Sequence, residues 1–413
     1  MAIAILASLA IWGGWRWATH FLLDRDIERF IGEHWAHPIQ PQGDPPSTFS
    51  PLEASLDPAQ CGTCHAQQHA DWATSLHSRA MGPGIQWQLR TMDQGQANEC
   101  LRCHAPLAEQ KALLALERGY ANAPSSPPPA WVAPNLHQQG LVCAACHVRA
   151  HRRHGPAPRA GKASIASGSR LPHGGFDAQP AFSDSRFCST CHQFAPDGRR
   201  VNGKLLENTY EEWKASRHAK EGRECQTCHM PDRRHLWRGI HDPETVREGL
   251  GREVVVTREA VDKARIAVTV RNRNAGHYLP TYVVPKIYVT AYLRGRGMHM
   301  IIGQHVIGRT LNVALDKEFA DTRLAPDASH TAEFDVSLPP GEWQVIVRAE
   351  VAPGEHYERM FRHMQKTRTE LDDEARALLH QSLKAAVEAR YYLDDLVAFV
   401  PPDVGRAERV VAK

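Results

Sequence analysis

All ten cysteines of the 413-residue chain occur in pairs whose members are separated by two residues, and a histidine directly follows each pair. The five Cys-x-x-Cys-His motifs begin about 40 residues apart and occupy Cys61–His65, Cys100–His104, Cys143–His147, Cys188–His192 and Cys225–His229. No cysteine lies outside this pattern. The motifs constrain the fold more than any other feature, because whatever binds them must be accommodated five times.

The motif spacing is typical of covalent haem attachment. Cysteines three positions apart lie on one side of a helical turn, where their sulfur atoms can form thioethers with both vinyl groups of one porphyrin, and the next histidine can bind the iron. A zinc site made from two cysteine pairs does not require these histidines, and a disulfide framework does not require one repeated spacing. A thioredoxin-like redox site would need a single pair in a βαβ context.

The sequence therefore predicts five haem c groups. The predicted thioether residues are Cys61, Cys64, Cys100, Cys103, Cys143, Cys146, Cys188, Cys191, Cys225 and Cys228. The predicted proximal iron ligands are His65, His104, His147, His192 and His229. About 40 residues per haem is too little chain for five separate domains, so we expect one haem domain over residues 59–248, made of short helices and irregular loops, in which the haems supply much of the core.

An internal repeat indicates where second axial ligands lie. Trp72-Ala-Thr-Ser-Leu-His77 and Trp213-Lys-Ala-Ser-Arg-His218 share the pattern Trp-x-x-Ser-x-His. The chain has 24 histidines, which is many more than the motifs use. We rank His77 and His218 first as distal ligands, with an ordinary amphipathic helix as the alternative interpretation.

Four further histidines are distal candidates. His137 precedes a motif by six residues, His173 lies in a Gly/Pro-rich stretch, and His241 follows a flexible glycine. We rank His241 above His235, whose arginine neighbours suit haem propionates. His277 lies in the turn Asn274–Thr281, where a structural loop histidine is the alternative.

The N-terminus is apolar. Residues 2–15 are uncharged and the apolar character continues to Leu23, interrupted by Arg16. A segment of this length can span a bilayer, with tryptophans near the interface, so residues 1–24 are predicted to form a transmembrane helix, and a signal sequence is the alternative. Residues 25–58 are predicted to be a Pro-rich tether. Because haem is attached outside the bacterial cytoplasm, we expect inner-membrane anchoring with the haem domain in the periplasm.

The composition changes after the last motif. Runs such as Glu253–Thr257, Arg265–Val270 and Trp343–Arg348 alternate apolar and polar residues and are rich in β-branched side chains. They predict a β-sandwich over residues 249–353. Residues 354–413 are predicted to be a helical segment with an apolar stripe. The predicted fold class is thus a mostly α and irregular multihaem domain followed by a β-sandwich and a terminal helix.

Charge excludes one class of partner. The net charge is only +3, and no Lys/Arg cluster is interleaved with aromatic residues. Nucleic acid is therefore not expected as a partner.

Several segments resemble multihaem c-type cytochromes of the group that contains the tetrahaem electron carrier of ammonia oxidation and hydroxylamine oxidoreductase. The resemblance rests on Cys61–His77, Gly140–His147, Cys225–Pro231 and Asn274–Thr281, and it covers about residues 59–285. It implies bis-histidine haems in close parallel and perpendicular pairs, and a role in electron transfer. The chain departs from the catalytic relatives, because it has five motifs instead of eight and no Cys-x-x-Cys-Lys motif.

The leading functional prediction is a pentahaem cytochrome that carries electrons in a periplasmic respiratory chain. Its expected partners are a membrane quinol-linked enzyme and a second redox protein, and the sandwich could dock other subunits or identical copies. The alternative is an oxidoreductase acting on a small nitrogen or sulfur oxyanion at one open haem, with Arg152 or Arg233 holding the anion. Electron transfer is favoured over catalysis.

Overall fold

The computed structural model describes residues 22–159 and 171–412. These residues form two compact units. The first unit takes in the described residues up to Ile85, from Thr91 to Cys191 and from Glu224 to Trp237, and the second takes in Gln86–Arg90, His192–Arg223 and the chain from Arg238 onwards.

Helices are short in most of the chain. Residues 22–34 are helical and are called α1. The other helices are α2 (Pro51–Ala54), α3 (Pro58–Gly62), α4 (Ala66–Ala73), α5 (Pro83–Leu89), α6 (Gln94–His104), α7 (Ala108–Arg118), α8 (Cys143–His147), α9 (Arg186–His192), α10 (Thr209–Lys214), α11 (Arg217–Lys220), α12 (Cys225–His229), α13 (Pro243–Gly249), α14 (Glu355–Thr367) and α15 (Asp373–Glu388).

The cysteine pairs lie on single helical turns. The third and fifth motifs form the helices α8 and α12, and the second and fourth motifs form the last turns of α6 and α9. The first motif joins α3 to α4. Local sequence fixes these helices: in α6 the Asp93 carboxylate accepts a hydrogen bond from the Gln96 amide at 2.9 Å, and the Gln96 side chain accepts one from the Asp93 amide at 3.2 Å. The helix then ends at His104, so the motif occupies its C-terminal turns.

Strands dominate the second unit. The chain contains β1 (Val148–Arg149), β2 (Arg152–Gly155), β3 (Asp177–Ala178), β4 (Arg200–Val201), β5 (Lys204–Leu205), β6 (Leu250–Ala260), β7 (Lys263–Asn272), β8 (Lys286–Gly295), β9 (Met298–Ile307), β10 (Arg309–Leu311), β11 (Glu318–Asp321), β12 (Ser329–Ser337), β13 (Gln344–Ala352), β14 (Tyr391–Tyr392), β15 (Leu396–Phe399) and β16 (Ala407–Val411). One antiparallel sheet has the order β12-β7-β6-β16, and the other has the order β14-β13-β8-β9 with β15 also paired to β13.

The two sheets share one apolar core. Val254 and Ile266 of the first sheet and Ile287 and Val345 of the second are fully buried in the same cluster. Burial alternates along β6 and β7, as the period-two sequence pattern requires. This confirms the prediction of a helical and irregular region followed by C-terminal β-sheets.

The terminal segment differs from its prediction. It is helical only up to Glu388, since β14 and β15 then join the second sheet and β16 joins the first. The helical part packs as expected, with Ala375 and Leu379 of α15 buried against Trp87 and Phe361. The sequence pattern did not predict β14, β15 and β16, because they span two, four and five residues, which is too short for a period to be recognised.

The predicted tether over residues 25–58 is corrected by the structure. Ile27, Trp35 and Ile39 are buried in a cluster with Ala181 and Phe187 of the first unit. The segment therefore contributes to the first unit's core, because its helix α1 carries apolar side chains that the Pro-rich composition after Ala36 obscures.

Within residues 22–159 and 171–412, no helix has the length and apolar character needed to cross a membrane. The predicted transmembrane helix at 1–24 falls mainly on residues 1–21, which lie outside the described residues. The described residues thus give no support to that prediction.

Candidate haem-binding site

The attachment cysteines of different motifs lie against one another in the first unit. The thiols of Cys61 and Cys143 are hydrogen-bond partners, as are those of Cys103 and Cys191. A third pair joins Cys188 to Cys225. The first motif is therefore adjacent to the third, the second to the fourth, and the fourth to the fifth.

The third motif is also close to the fourth. A hydrogen bond to Cys225 and burial raise the pKa of Cys188, and the neighbouring thiol of Cys146 raises it further. Burial raises the pKa of Cys146 itself to about 11. The cysteine contacts consequently connect all five motifs into one group.

Two proximal histidines are held in the tautomer that iron binding requires. His104 Nδ1 lies 2.6 Å from the carbonyl oxygen of Ala80, and His147 Nδ1 lies 2.8 Å from that of His154. A ring nitrogen so close to a carbonyl donates its proton, which leaves Nε2 as the basic nitrogen of each ring. Ligating histidines typically show this arrangement, because the second hydrogen bond fixes the orientation of the ring.

The surroundings of His147 are apolar and aromatic. Its ring stacks on Phe182 with centroids 5.1 Å apart, and strand β2 brings His154 beside it. Burial lowers the pKa of His147 to about 4. The imidazole therefore stays neutral at physiological pH, which is the form that binds a metal.

His34 was missed by the sequence analysis. It is 3% exposed, its Nε2 lies 2.8 Å from the carbonyl oxygen of Cys146, and its ring lies 5.5 Å from that of His154. Burial, with help from Arg149, lowers its pKa to about 2. The available signal was its position four residues after Phe30, whose ring stacks on His34 at 4.8 Å.

A half-buried arginine beside the third motif fits a haem carboxylate. Arg149 donates through Nε to the His34 carbonyl at 2.7 Å, yet its Nη2 is buried without a hydrogen-bond partner. Burial lowers its pKa to about 10. Because a buried guanidinium needs an acceptor, and haem propionates are anionic acceptors, Arg149 is a candidate propionate partner. Together with the held histidines, this residue set fits haem c.

The first unit contains three of the predicted distal ligands. The ring of His77 lies 4.6 Å from that of Trp237. His173 Nδ1 lies 2.9 Å from the Gly175 carbonyl, so its Nε2 is the basic nitrogen, and this fits a ligand role. His137 Nε2 instead meets the Glu117 carboxylate at 2.6 Å, which opposes the predicted role because that nitrogen donates to the carboxylate.

The geometry favours His235 over His241, the reverse of the order that the sequence suggested. The ring of His235 lies 6.1 Å from that of His147, and its backbone amide donates to Asp71 at 3.0 Å. Asp71 also forms a bidentate ion pair with Arg234 at 2.6 and 2.7 Å. His241 is exposed and belongs to the second unit. The sequence neighbours of these two histidines carried no information about burial.

His218 and the turn that carries His277 lie together in the second unit. His218 is 3% exposed. A Cβ added to Gly276 would lie 3.1 Å from Trp213 and 3.2 Å from His218, so a glycine is needed for the turn to approach this closely. His277 Nδ1 lies 2.8 Å from the Tyr278 carbonyl, which leaves Nε2 as its basic nitrogen.

A buried carboxylate fixes that turn, and sequence reasoning missed it. Glu212 of α10 accepts hydrogen bonds from the Tyr278 amide at 3.0 Å, from Thr281 at 2.7 Å and from Arg323 at 3.1 Å. The Glu212 and Arg323 side chains are 4% and 7% exposed. No motif marks Glu212, because its partners are distant in sequence.

A cavity of about 400 Å³ lies next to the fifth motif, with Arg159, Glu224, Met230, Asp232 and Arg233 in its lining. Arg152, the other arginine considered as an anion ligand, is largely exposed and pairs with Asp177 at 2.6 Å. Its charge is thus balanced by a carboxylate of the chain.

Comparisons with known proteins agree with the motif chemistry. The family model for cytochrome c554 and c-prime matches residues 60–123. A penta-heme cytochrome c552 from Thermochromatium tepidum shares the fold with a TM-score of 0.53 and 17% identity, over 88% of this chain and 100% of that one. No curated protein matches the chain, and no comparison shows the predicted likeness to hydroxylamine oxidoreductase. The five motifs and the family match over residues 60–123 support haem c binding and electron transfer in general, and the solved structure shows a shared fold.

Proposed function

We propose that the chain is a pentahaem c-type cytochrome that carries electrons in a periplasmic respiratory chain. The observation that carries this proposal is the direct contact between cysteines of different motifs, which joins all five attachment sites into one group. Haems attached to adjacent cysteines have short edge-to-edge distances, and electron transfer falls steeply with distance. A connected group therefore supports conduction better than five isolated redox sites would.

The contacts suggest a route. The first, third, fourth and fifth motifs follow one another, and the second motif joins at the fourth. The proximal ligands are His65, His104, His147, His192 and His229. His77, His218, His277 and His173 are the distal ligands that the geometry favours, and His235 joins them as a candidate.

The donor and acceptor are proposed to be a membrane quinol-linked enzyme and a second redox protein, with the haem-binding part in the periplasm and the N-terminal segment as its anchor. Electron transfer is preferred over substrate turnover, because the candidate distal histidines are enough to give each of the five proposed haems a second ligand.

The test combines haem counting with spectroscopy. The ratio of haem to protein in a pyridine haemochrome assay is expected to be five, and the oxidised protein is expected to show only low-spin haem that cyanide and nitrite leave unchanged. A ratio below five would contradict the haem count. A high-spin signal that responds to nitrite would instead favour an oxyanion-converting enzyme.

A further inference from the structure

The first Trp-x-x-Ser-x-His segment is hydrogen-bonded to the chain that leads into the third motif. The Trp72 indole donates to the carbonyl oxygen of Leu141 at 2.8 Å, and the Leu141 amide donates to the carbonyl oxygen of His77 at 2.9 Å. The amide and the carbonyl of Leu141 are thus both hydrogen-bonded to this one segment, and a residue held in this way is called clamped. Two residues later the chain reaches Cys143.

The second segment makes the same pair of bonds. The Trp213 indole donates to the carbonyl oxygen of Arg223 at 2.9 Å, and the Arg223 amide donates to that of His218 at 2.9 Å. Arg223 lies two residues before Cys225, as Leu141 lies two residues before Cys143. The partners are far apart in sequence in the first copy and close in the second, so chain connectivity does not explain the shared geometry.

The likeness extends to the residues on either side. A glycine with positive φ precedes each clamped residue, namely Gly140 at +69° and Gly222 at +68°. The first cysteine of the clamped motif contacts the first cysteine of the motif that precedes the Trp segment, Cys61 with Cys143 and Cys188 with Cys225. The two copies therefore connect two pairs of haem motifs in the same way.

The indole bonds are not a general consequence of burying tryptophan in this chain. Trp35 and Trp87 are 6% and 4% exposed, yet the Nε1 of each is buried without a hydrogen-bond partner. Leaving such a donor unpaired costs free energy, so the paired indoles of Trp72 and Trp213 mark positions where the bond has a specific acceptor. In both copies this acceptor is the residue that leads into a motif.

We propose that Trp72 and Trp213 are positioning residues that lock the backbone of a distal ligand, His77 or His218, to the entry of a haem attachment motif. The proposal rests on the proposed function, which makes these histidines distal ligands. Because the ligand backbone and the attachment site are clamped to the same residue, they move together. The orientation of each imidazole toward its iron is then fixed, and axial ligation and hydrogen bonding tune haem potentials.

The experiment uses the full chain with its haems attached. His77→Met and His218→Met first identify, by redox titration and EPR, the haem that each histidine ligates. Trp72→Phe is then expected to shift the reduction potential and the largest g value of the His77 haem alone, and Trp213→Phe those of the His218 haem alone. The control Trp87→Phe removes an indole whose N–H group has no hydrogen-bond partner among the described residues and whose ring packs on Phe361, and it is expected to leave every haem unchanged.

The outcomes separate the two proposals. If neither histidine variant alters any haem, the ligand assignment in the proposed function fails. If both histidine variants alter a haem but the Trp72→Phe and Trp213→Phe spectra match the wild type, the positioning role alone is overturned. Where a phenylalanine variant does not fold, replacement of the same tryptophan with 3-benzothienylalanine keeps the ring shape and removes only the N–H donor, and the same shift is expected.

Discussion

The two units differ in what fills their interiors. In the second unit, both sheets contribute side chains such as Ile287 and Val345 to one continuous apolar core. Among the described residues of the first unit, smaller clusters lie around Leu107 and Leu136 and around Trp35, and the cysteine motifs lie among them. The second unit can therefore be stabilised by its own side chains, whereas the first unit needs the haems as part of its core.

The largest expected effect comes from removing the haems. In cells that lack haem-attachment machinery, we expect the first unit to be unfolded and the sheets of the second unit to persist. Limited proteolysis with mass spectrometry should then degrade the region around the first four motifs and leave protected the segment from Leu250 to Ala352. The haem-loaded protein, digested in parallel, should be protected in both regions. Uniform digestion of the haem-free chain would contradict the comparison.

A core truncation in the second unit should act on that unit first. Leu293 of β8 is fully buried, and Leu293→Ala is expected to lower the free energy of unfolding by about 2–5 kcal/mol through lost burial and the resulting cavity. Denaturation followed by far-UV circular dichroism measures the loss, while the Soret band reports on the haems.

The matched control is Val261→Ala. Val261 is 81% exposed in the turn between β6 and β7, so its removal should have almost no effect. If Leu293→Ala moved the Soret transition as far as the circular dichroism transition, the two units would not be energetically separable.

The sequence predicted the sheets of the second unit and the haem attachment chemistry of the first unit. Alternation and β-branched content predicted the sheets, because burial on one face imposes a period of two. In the first unit the motifs predicted the attachment chemistry, since each one is a local pattern. In neither unit did the sequence predict Glu212, Arg149 or His34, because their importance depends on contacts between residues far apart in the chain. The order of His235 and His241 could not be predicted from their sequence neighbours, because a flexible glycine or flanking arginines do not report burial.

A smaller effect is expected at the turn that carries His277. Gly276→Ala places a Cβ against Trp213 and His218, and the resulting overpacking should cost about 1–3 kcal/mol. Since the turn carries a proposed iron ligand, we expect the EPR signal of one haem to change along with stability. Gly239→Ala is the control in the same unit, because a Cβ there meets nothing within 4 Å. Equal effects of the two substitutions would remove the case for a tightly packed ligand turn.

The smallest effect is expected from the Asp71–Arg234 ion pair in the first unit. Hydrogen bonds from Arg234, and also from the His235 amide, lower the pKa of Asp71 to about 2. A carboxylate with a lowered pKa stabilises the folded state above its ordinary value near 3.8, and this stabilisation is lost as the pH falls toward about 2. The Arg234 side chain is 45% exposed, so solvent screening keeps the contribution small.

Asp71→Asn should flatten the stability profile between about pH 4 and 2, measured by acid titration of the Soret band and circular dichroism. Asp26→Asn, which removes the carboxylate of an exposed pair with Arg29, should leave the wild-type profile intact. An unchanged profile in Asp71→Asn would show that the haems, and not this ion pair, hold His235 and its neighbours in place.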